Sequence, residues 1–321
     1  MARLHVLPPD DRAERLWALG RWGGLLGFAA LLLALVVEPR PALASLWNIA
    51  VPLLPASFFV APAFWRGVCP LSTLNAFGNR LGPARLMTPG QSAAIGALGL
   101  VLFHVIVPAR HLGLNTDGPL LAGALGAIAL LALGLGAAFA SRSAFCNALC
   151  PVLPVERLYG QAPLLAVSRG RCGTCTVCTP VGCLDLADDK AMRQLIGPAR
   201  GLGRWTVTPF GLFAASLPGF IIGYGLTPDV GGRAWPRVYA ATLGGAAASY
   251  AIVALAVRLL RPRPMRAVTA CAALSGVLYY WMTAPIVVRN LALPPAIAPG
   301  IRGAALVGIG LWAVRALRRA D

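Results

Sequence analysis

Four cysteines fall within twelve residues in "RCGTCTVCTPVGCLDL", at Cys172, Cys175, Cys178 and Cys183, with the spacing C-x2-C-x2-C-x4-C. Thiols at i, i+3 and i+6 wrap a tight loop whose sulfurs converge on neighbouring corners of a small cluster, the way ferredoxin-type loops hold iron. Gly173, Thr174, Thr176 and Val177 between them are small or β-branched and leave backbone amides free to donate towards cluster sulfurs. Structural zinc usually takes two separate Cys-x2-Cys pairs from opposite sides of a tetrahedron, and a third thiol this close fits it poorly. A 4Fe–4S cluster is therefore the expectation; zinc or a 2Fe–2S cluster is the alternative. Cys183 follows after four residues and precedes Leu184, with Pro180 inside the gap. It either closes its own cluster or serves a second one.

Upstream, "AFCNALCPVLPVERLYG" carries Cys146-x3-Cys150-Pro151. A four-residue step puts two thiols on one helical face, and Pro151 then ends or kinks that turn. "AFWRGVCPLSTLNAFG" repeats the pattern: Ala-Phe and Cys-Pro recur 81 residues on, each followed by an aromatic-Gly pair. Cys69 keeps the position next to proline, and Trp65 stands where Cys146 stands in the second copy. Two copies of one unit are expected. Cys69, Cys146 and Cys150 are then either ordinary buried thiols or three ligands of a second site, whose fourth would be Cys183 or Cys271.

The elements that must position these thiols are membrane helices. Of 321 residues, 58% are hydrophobic and only 12% charged, with a mean hydropathy of +0.71; soluble domains are about a quarter charged. Eight apolar runs, near 22–38, 43–64, 92–109, 119–140, 207–226, 237–258, 267–288 and 299–316, are long enough to span ~30 Å of hydrocarbon. The fifth is the weakest, because Pro209 and Pro218 interrupt it. Asp10, Asp11 and Glu14 before the first run, with no small-residue cleavage site after it, predict a retained helix rather than a signal peptide. The organisation expected is a four-helix membrane unit over 1–140, a cytoplasmic iron–sulfur loop over 141–206 and a second four-helix unit over 207–321. The fold class is an all-α integral membrane protein with a cytoplasmic ferredoxin-like loop.

A net charge of +17 raises nucleic acid as a partner, but the distribution argues against it. With the N-terminus inside, 22 of the 28 Lys and Arg fall on the inner side and six on the outer. That is the bias that orients membrane proteins, and it places both termini in the cytoplasm. All eight cysteines then fall at the cytoplasmic face, with Cys271 about one turn into the seventh span. Thiols are kept reduced there, so metal or redox chemistry is expected rather than disulfides.

Other candidates are few. His104 in the third span could meet a haem or a quinone, but a packing role is the reading preferred, since no second buried histidine is available to pair with it across a haem. Glu156 and Arg157 read as a surface ion pair. "GALGAIALLALGLGAAFA" and "ATLGGAAASY" read as small-residue helix-packing faces. The sequence has no phosphate-cradling glycine loop, hydrolytic triad or metal-hydrolase motif.

The Cys-x3-Cys-Pro turns at helix ends, followed by the ferredoxin-like loop, resemble the membrane-bound polyferredoxins that accompany periplasmic nitrate reduction, nitrous-oxide reduction and cytochrome oxidase assembly. The resemblance covers roughly residues 40–190. It implies a protein of the bacterial inner membrane with one or two 4Fe–4S clusters. Such a protein relays electrons between a quinone pool or cytoplasmic donor and a redox partner, or else serves as a membrane-anchored redox sensor or assembly factor. The first turn has lost one cysteine, and only one ferredoxin-like loop is present.

Overall fold

A computed structural model describes residues 11–82, 85, 87–139, 144–165, 196, 204–230 and 232–320. Among the described residues, eight helices are long and apolar enough to cross a membrane: Arg15–Val37, Pro39–Val60, Pro89–Leu112, Gly118–Ala138, Pro209–Leu226, Gly232–Leu260, Pro264–Asn290 and Ile297–Arg319. The described residues contain no strand, only one isolated bridge between Arg85 and Phe139. Cys172, Cys175, Cys178 and Cys183 lie outside the described residues, as does most of the expected loop.

The first span belongs to α1 (Asp11–Val37), a peripheral helix that leaves Leu16, Leu19, Leu26 and Leu33 exposed. The second is composite: α2 (Pro39–Ser45), a π-helical turn (Leu46–Ala50) and α3 (Val51–Val60). It stops short of the expected residue 64 because of Pro62. A residue before proline is pushed out of the helical region, and Ala61 is accordingly extended at φ −158°, ψ 79°. The carbonyls left open by this break are taken up from far along the chain. Leu164 N–H donates to Phe59 O at 3.0 Å and Leu165 N–H to Val60 O at 2.8 Å.

Two short helices follow, α4 (Pro62–Val68) and α5 (Pro70–Gly78). The third and fourth spans are α6 (Pro89–Ala109) and α7 (Gly118–Ala138). Their starts are written in the sequence. Thr88 and Gln91 form a reciprocal capping box ahead of α6, and Asp117 accepts from Leu120 N–H at 2.9 Å ahead of α7. Then come a π-helical turn (Phe145–Leu149) and α8 (Leu153–Tyr159). The last four spans are α9 (Pro209–Leu226), α10 (Trp235–Leu260), α11 (Pro264–Asn290) and α12 (Ile297–Ala320).

The fifth span, weak in the sequence, is the best-buried of the eight, with 67% of its apolar window enclosed. Pro209 opens α9 behind the Thr208 cap, and Pro218 sits inside one continuous helix. Neighbouring helices re-satisfy what such a proline frees. Small residues let the helices close on it: a Cβ added at Gly219 would come within 2.1 Å of Gly245 O. The run around "ATLGGAAASY" is thus a packing face, as expected. The "LALGLGAA" stretch is another, because a Cβ at Gly136 would meet Asn75 O at 2.2 Å.

The two sets of four helices form one body. Phe103 of α6 meets Phe213 and Phe220 of α9 edge-on or tilted at 5.3 and 5.4 Å between ring centres. Tyr239 of α10 donates to Val105 O at 2.7 Å, and Tyr280 of α11 to Pro52 O at 2.9 Å. Phe59 stacks on Tyr159 at 4.3 Å and meets Trp312 edge-on at 4.9 Å.

Candidate functional site

The two Cys-Pro turns are built alike. Cys69 ends α4 and precedes Pro70, with φ −57° and ψ 121°. Cys150 ends the Phe145–Leu149 turn and precedes Pro151, with φ −53° and ψ 119°. In each, the proline forces its predecessor out of the helix while the cysteine N–H still closes the turn before it. Cys69 N–H donates to Trp65 O at 2.9 Å, a four-residue step; Cys150 N–H donates to Phe145 O at 2.8 Å, a five-residue step. The second copy is therefore π-helical where a plain helical turn was expected. Such single-turn π segments gather at functional sites.

Packing brings the turns together. α5 and α7 close on each other through Gly78, Gly136 and Asn75, and Asn75 Nδ2 donates to Ala132 O at 2.9 Å. The Phe145–Leu149 turn packs into the same cluster, where Leu71, Cys146 and Cys150 surround Ala132, Phe145 and Leu149. Val68 rests against Gly20 and Gly24 of α1, and Trp17 against Gly67. The turns thus lie at the end of the bundle where α1 begins and α7 finishes. Cys69, Cys146 and Cys150 are half-buried, and they are neighbours. Burial, then Cys146 and Cys69, push the Cys150 thiol well above its ordinary range. Close thiols in a poorly solvated pocket keep their protons until a cation displaces them.

Cys271 does not join them. It is buried in α11 and is not among the groups that act on Cys150.

Arg66, Glu156 and Arg157 lie by the second turn, and the sequence reading misjudged the last two. Glu156 and Arg157 are not a surface ion pair. Glu156 is buried at 6% exposure, and its Oε1 accepts from Arg66 Nε at 2.5 Å, across 90 residues. Arg157 donates from Nη2 to Asn147 O at 3.0 Å, next to Cys146, and its Nε is sealed from solvent without a partner. Burial, then Arg66, pull the Arg157 guanidinium down to about 10, while Glu156 and Cys150 oppose that shift. Arg157 is still charged at neutral pH. The repeat held a signal for this: residue 156 occupies the position of Asn75, the buried polar residue of the first copy.

Among the described residues, no three His, Cys, Asp or Glu side chains are placed to hold one metal ion.

His104 is packed among aromatic rings. Its Nδ1 lies 2.8 Å from Leu100 O, and its ring sits among Phe103, Phe213 and Phe220 at 5.0 to 6.0 Å. At the opposite end of the bundle, His111 Nδ1 lies 2.7 Å from Asp229 Oδ1, and Arg110 donates to Tyr224 Oη at 2.8 Å. This network ties the α6–α7 connection to the α9–α10 connection. Compared with protein-family models, with curated proteins and with solved structures, the chain finds no match.

Proposed function

We propose that the protein is an integral-membrane iron–sulfur electron carrier. It lies in a bacterial inner membrane with both termini and all its thiols on the cytoplasmic side. Electrons pass between a quinone pool or a soluble donor and a redox partner protein. The observation that carries this reading is the meeting of Cys69, Cys146 and Cys150 from two Cys-Pro turns of matching backbone. The cysteine-rich stretch from Cys172 to Cys183 follows in the same connection between spans.

The Cys172, Cys175, Cys178 and Cys183 thiolates would hold one 4Fe–4S cluster. Cys69, Cys146 and Cys150 would supply three thiolates of a second, for which the loop has a fourth to give only if Cys183 leaves the first set. A bound cluster supplies a one-electron couple in which no bond of the protein is made or broken. The chain's own contribution is placement. The prolines hold Cys69 and Cys150 in one backbone shape, Arg66 fixes Glu156 beside them, and Phe145, Leu149 and Leu153 keep water from one side of the site.

The test is iron. Protein purified without oxygen should carry at least about four irons per chain with broad absorbance near 400 nm, as expected for one thiolate-held cluster. Cys175→Ser should remove most of the absorbance contributed by the loop. Zinc in place of iron after anaerobic preparation would sink the proposal.

A further inference from the structure

A cavity of about 30 Å³ lies between four spans at the end of the bundle opposite the Cys-Pro turns. Trp47 comes from the second span, Arg110 from the end of the third, Tyr224 from the fifth, and Tyr279 and Thr283 from the seventh. Ile221, Ile286 and Val287 supply apolar wall. The space has room for about two waters, or for the head of a carboxylic acid. One cation and a few hydroxyls set in hydrocarbon are the usual make-up of a ligand pocket.

Arg110 decides what kind of ligand. It donates from Nη1 to the neutral Tyr224 Oη at 2.8 Å, and its guanidinium carbon lies 5.1 Å from the centre of the Trp47 ring. Among the described residues this is its one hydrogen bond, so most of the five-donor fork is uncommitted. Arginines near a span end often stretch out to water, but here Nε is sealed from solvent without a partner. The described acids at this end are engaged elsewhere or face solvent. Asp117 caps α7, Glu38 is exposed, and Asp229 lies 2.7 Å from His111 Nδ1. Asp229 acts on Arg110 through space, but among the described residues no carboxylate forms an ion pair with it. Ionisable groups inside a span commonly mark a ligand path, and the planar guanidinium matches a carboxylate.

We propose that Arg110 makes this cavity a carboxylate-binding site. The acid is one carried on a hydrocarbon chain from the bilayer or a short one from the aqueous phase, and the apolar walls favour the first. Arg110 binds the carboxylate, the Tyr279 and Thr283 hydroxyls donate to it, and a chain would run along Ile221, Ile286 and Val287. The site is separate from the cysteine turns and does not depend on the electron-carrier reading.

The experiment is equilibrium binding of radiolabelled palmitate, and separately of radiolabelled butyrate, to the full chain in a non-ionic detergent. Palmitate should bind saturably, and methyl palmitate, which keeps the chain without the charge, should not displace it. Arg110→Gln should weaken binding roughly tenfold or more, the loss expected when a charged hydrogen-bonding partner is removed, and Arg110→Lys should recover part of it. Thr283→Leu, which fills the cavity and leaves Arg110 with Tyr224, should block binding; it decides the matter if the melting temperature shows that Arg110→Gln does not fold. Butyrate binding as tightly as palmitate assigns the site to a soluble acid, and weaker butyrate binding assigns it to an acid of the bilayer. No saturable binding of either acid, displacement by methyl palmitate, or parent-like binding in folded Arg110→Gln or in Thr283→Leu overturns the proposal.

Discussion

Cys69 and Cys150 stand 81 residues apart in the chain, yet their φ values (−57° and −53°) differ by 4° and their ψ values (121° and 119°) by 2°. Both precede proline, both end a helical turn, and Cys146 joins them from the wider turn of the second copy. A duplication that kept only the backbone would have no reason to keep both thiols next to their prolines.

If these thiols share a cluster, they should fail together. Cys146→Ala and Cys150→Ala are each expected to lower iron per chain or change the reduced EPR spectrum, with Cys69→Ala doing so more weakly. Cys271→Ala should leave both unchanged. Iron analysis and EPR on anaerobic protein make the comparison. Unchanged iron and spectrum in the Cys146/Cys150 double variant would leave a single cluster on Cys172, Cys175, Cys178 and Cys183.

Sidedness follows from the charge distribution. A membrane-impermeant thiol reagent applied to intact cells should fail to label Cys172 and Cys183. The same reagent should label them in inverted vesicles once iron is removed. Labelling from outside would reverse the topology and, with it, the argument that the thiols are kept reduced.

The contact between α9 and α10 depends on absent side chains. Gly219→Val would put a Cβ about where Gly245 O lies, 2.1 Å away, and must push the helices apart. Overpacking of this kind costs roughly 1–3 kcal/mol, which should appear as a clear drop in melting temperature in detergent. Gly123→Ala, where an added Cβ meets nothing within 4 Å, is the control. It should be neutral or slightly stabilising, since alanine is the better helix former.

Acid should loosen the other end of the bundle. Asp229 is held below the usual carboxylate range, first by the hydrogen bond with His111; partial burial opposes this and Arg110 reinforces it. A carboxyl depressed in the folded state contributes stability above its ordinary pKa of about 3.9, and that contribution is lost as pH falls through the lower folded value. Melting temperature should therefore drop steeply below about pH 4. Asp229→Asn should lose stability at neutral pH and flatten that acid slope. An identical slope in the variant would mean that other carboxyls cause it.

Much of the scaffold was legible in the sequence, because apolar length is a local property. All eight spans could be read from it, although the caps at Thr88, Asp117 and Thr208 were not, and Pro209, which opens the fifth helix, was read as an interruption. The break at Ala61 was also local, but an apolar window runs across a proline without registering it. The fifth span looked weak for a related reason: two prolines lower the helical expectation, while the packing of Gly219 on Gly245 that restores it belongs to another helix. At the site, the thiols and their repeat were legible and the surrounding charges were not. Glu156 and Arg157 read as a surface pair because their burial depends on Arg66, 90 residues earlier. The loop that carries the strongest motif lies outside the described residues, so its four thiols rest on spacing alone.

The closing of the break after α3 bears on the order in which the protein can be made. Phe59 O and Val60 O receive their hydrogen bonds from Leu164 and Leu165, beyond the second Cys-Pro turn. Carbonyls left unpaired in hydrocarbon are costly. During synthesis these two pairings can close only after about a hundred further residues have been translated, when Cys146 and Cys150 are already in the chain.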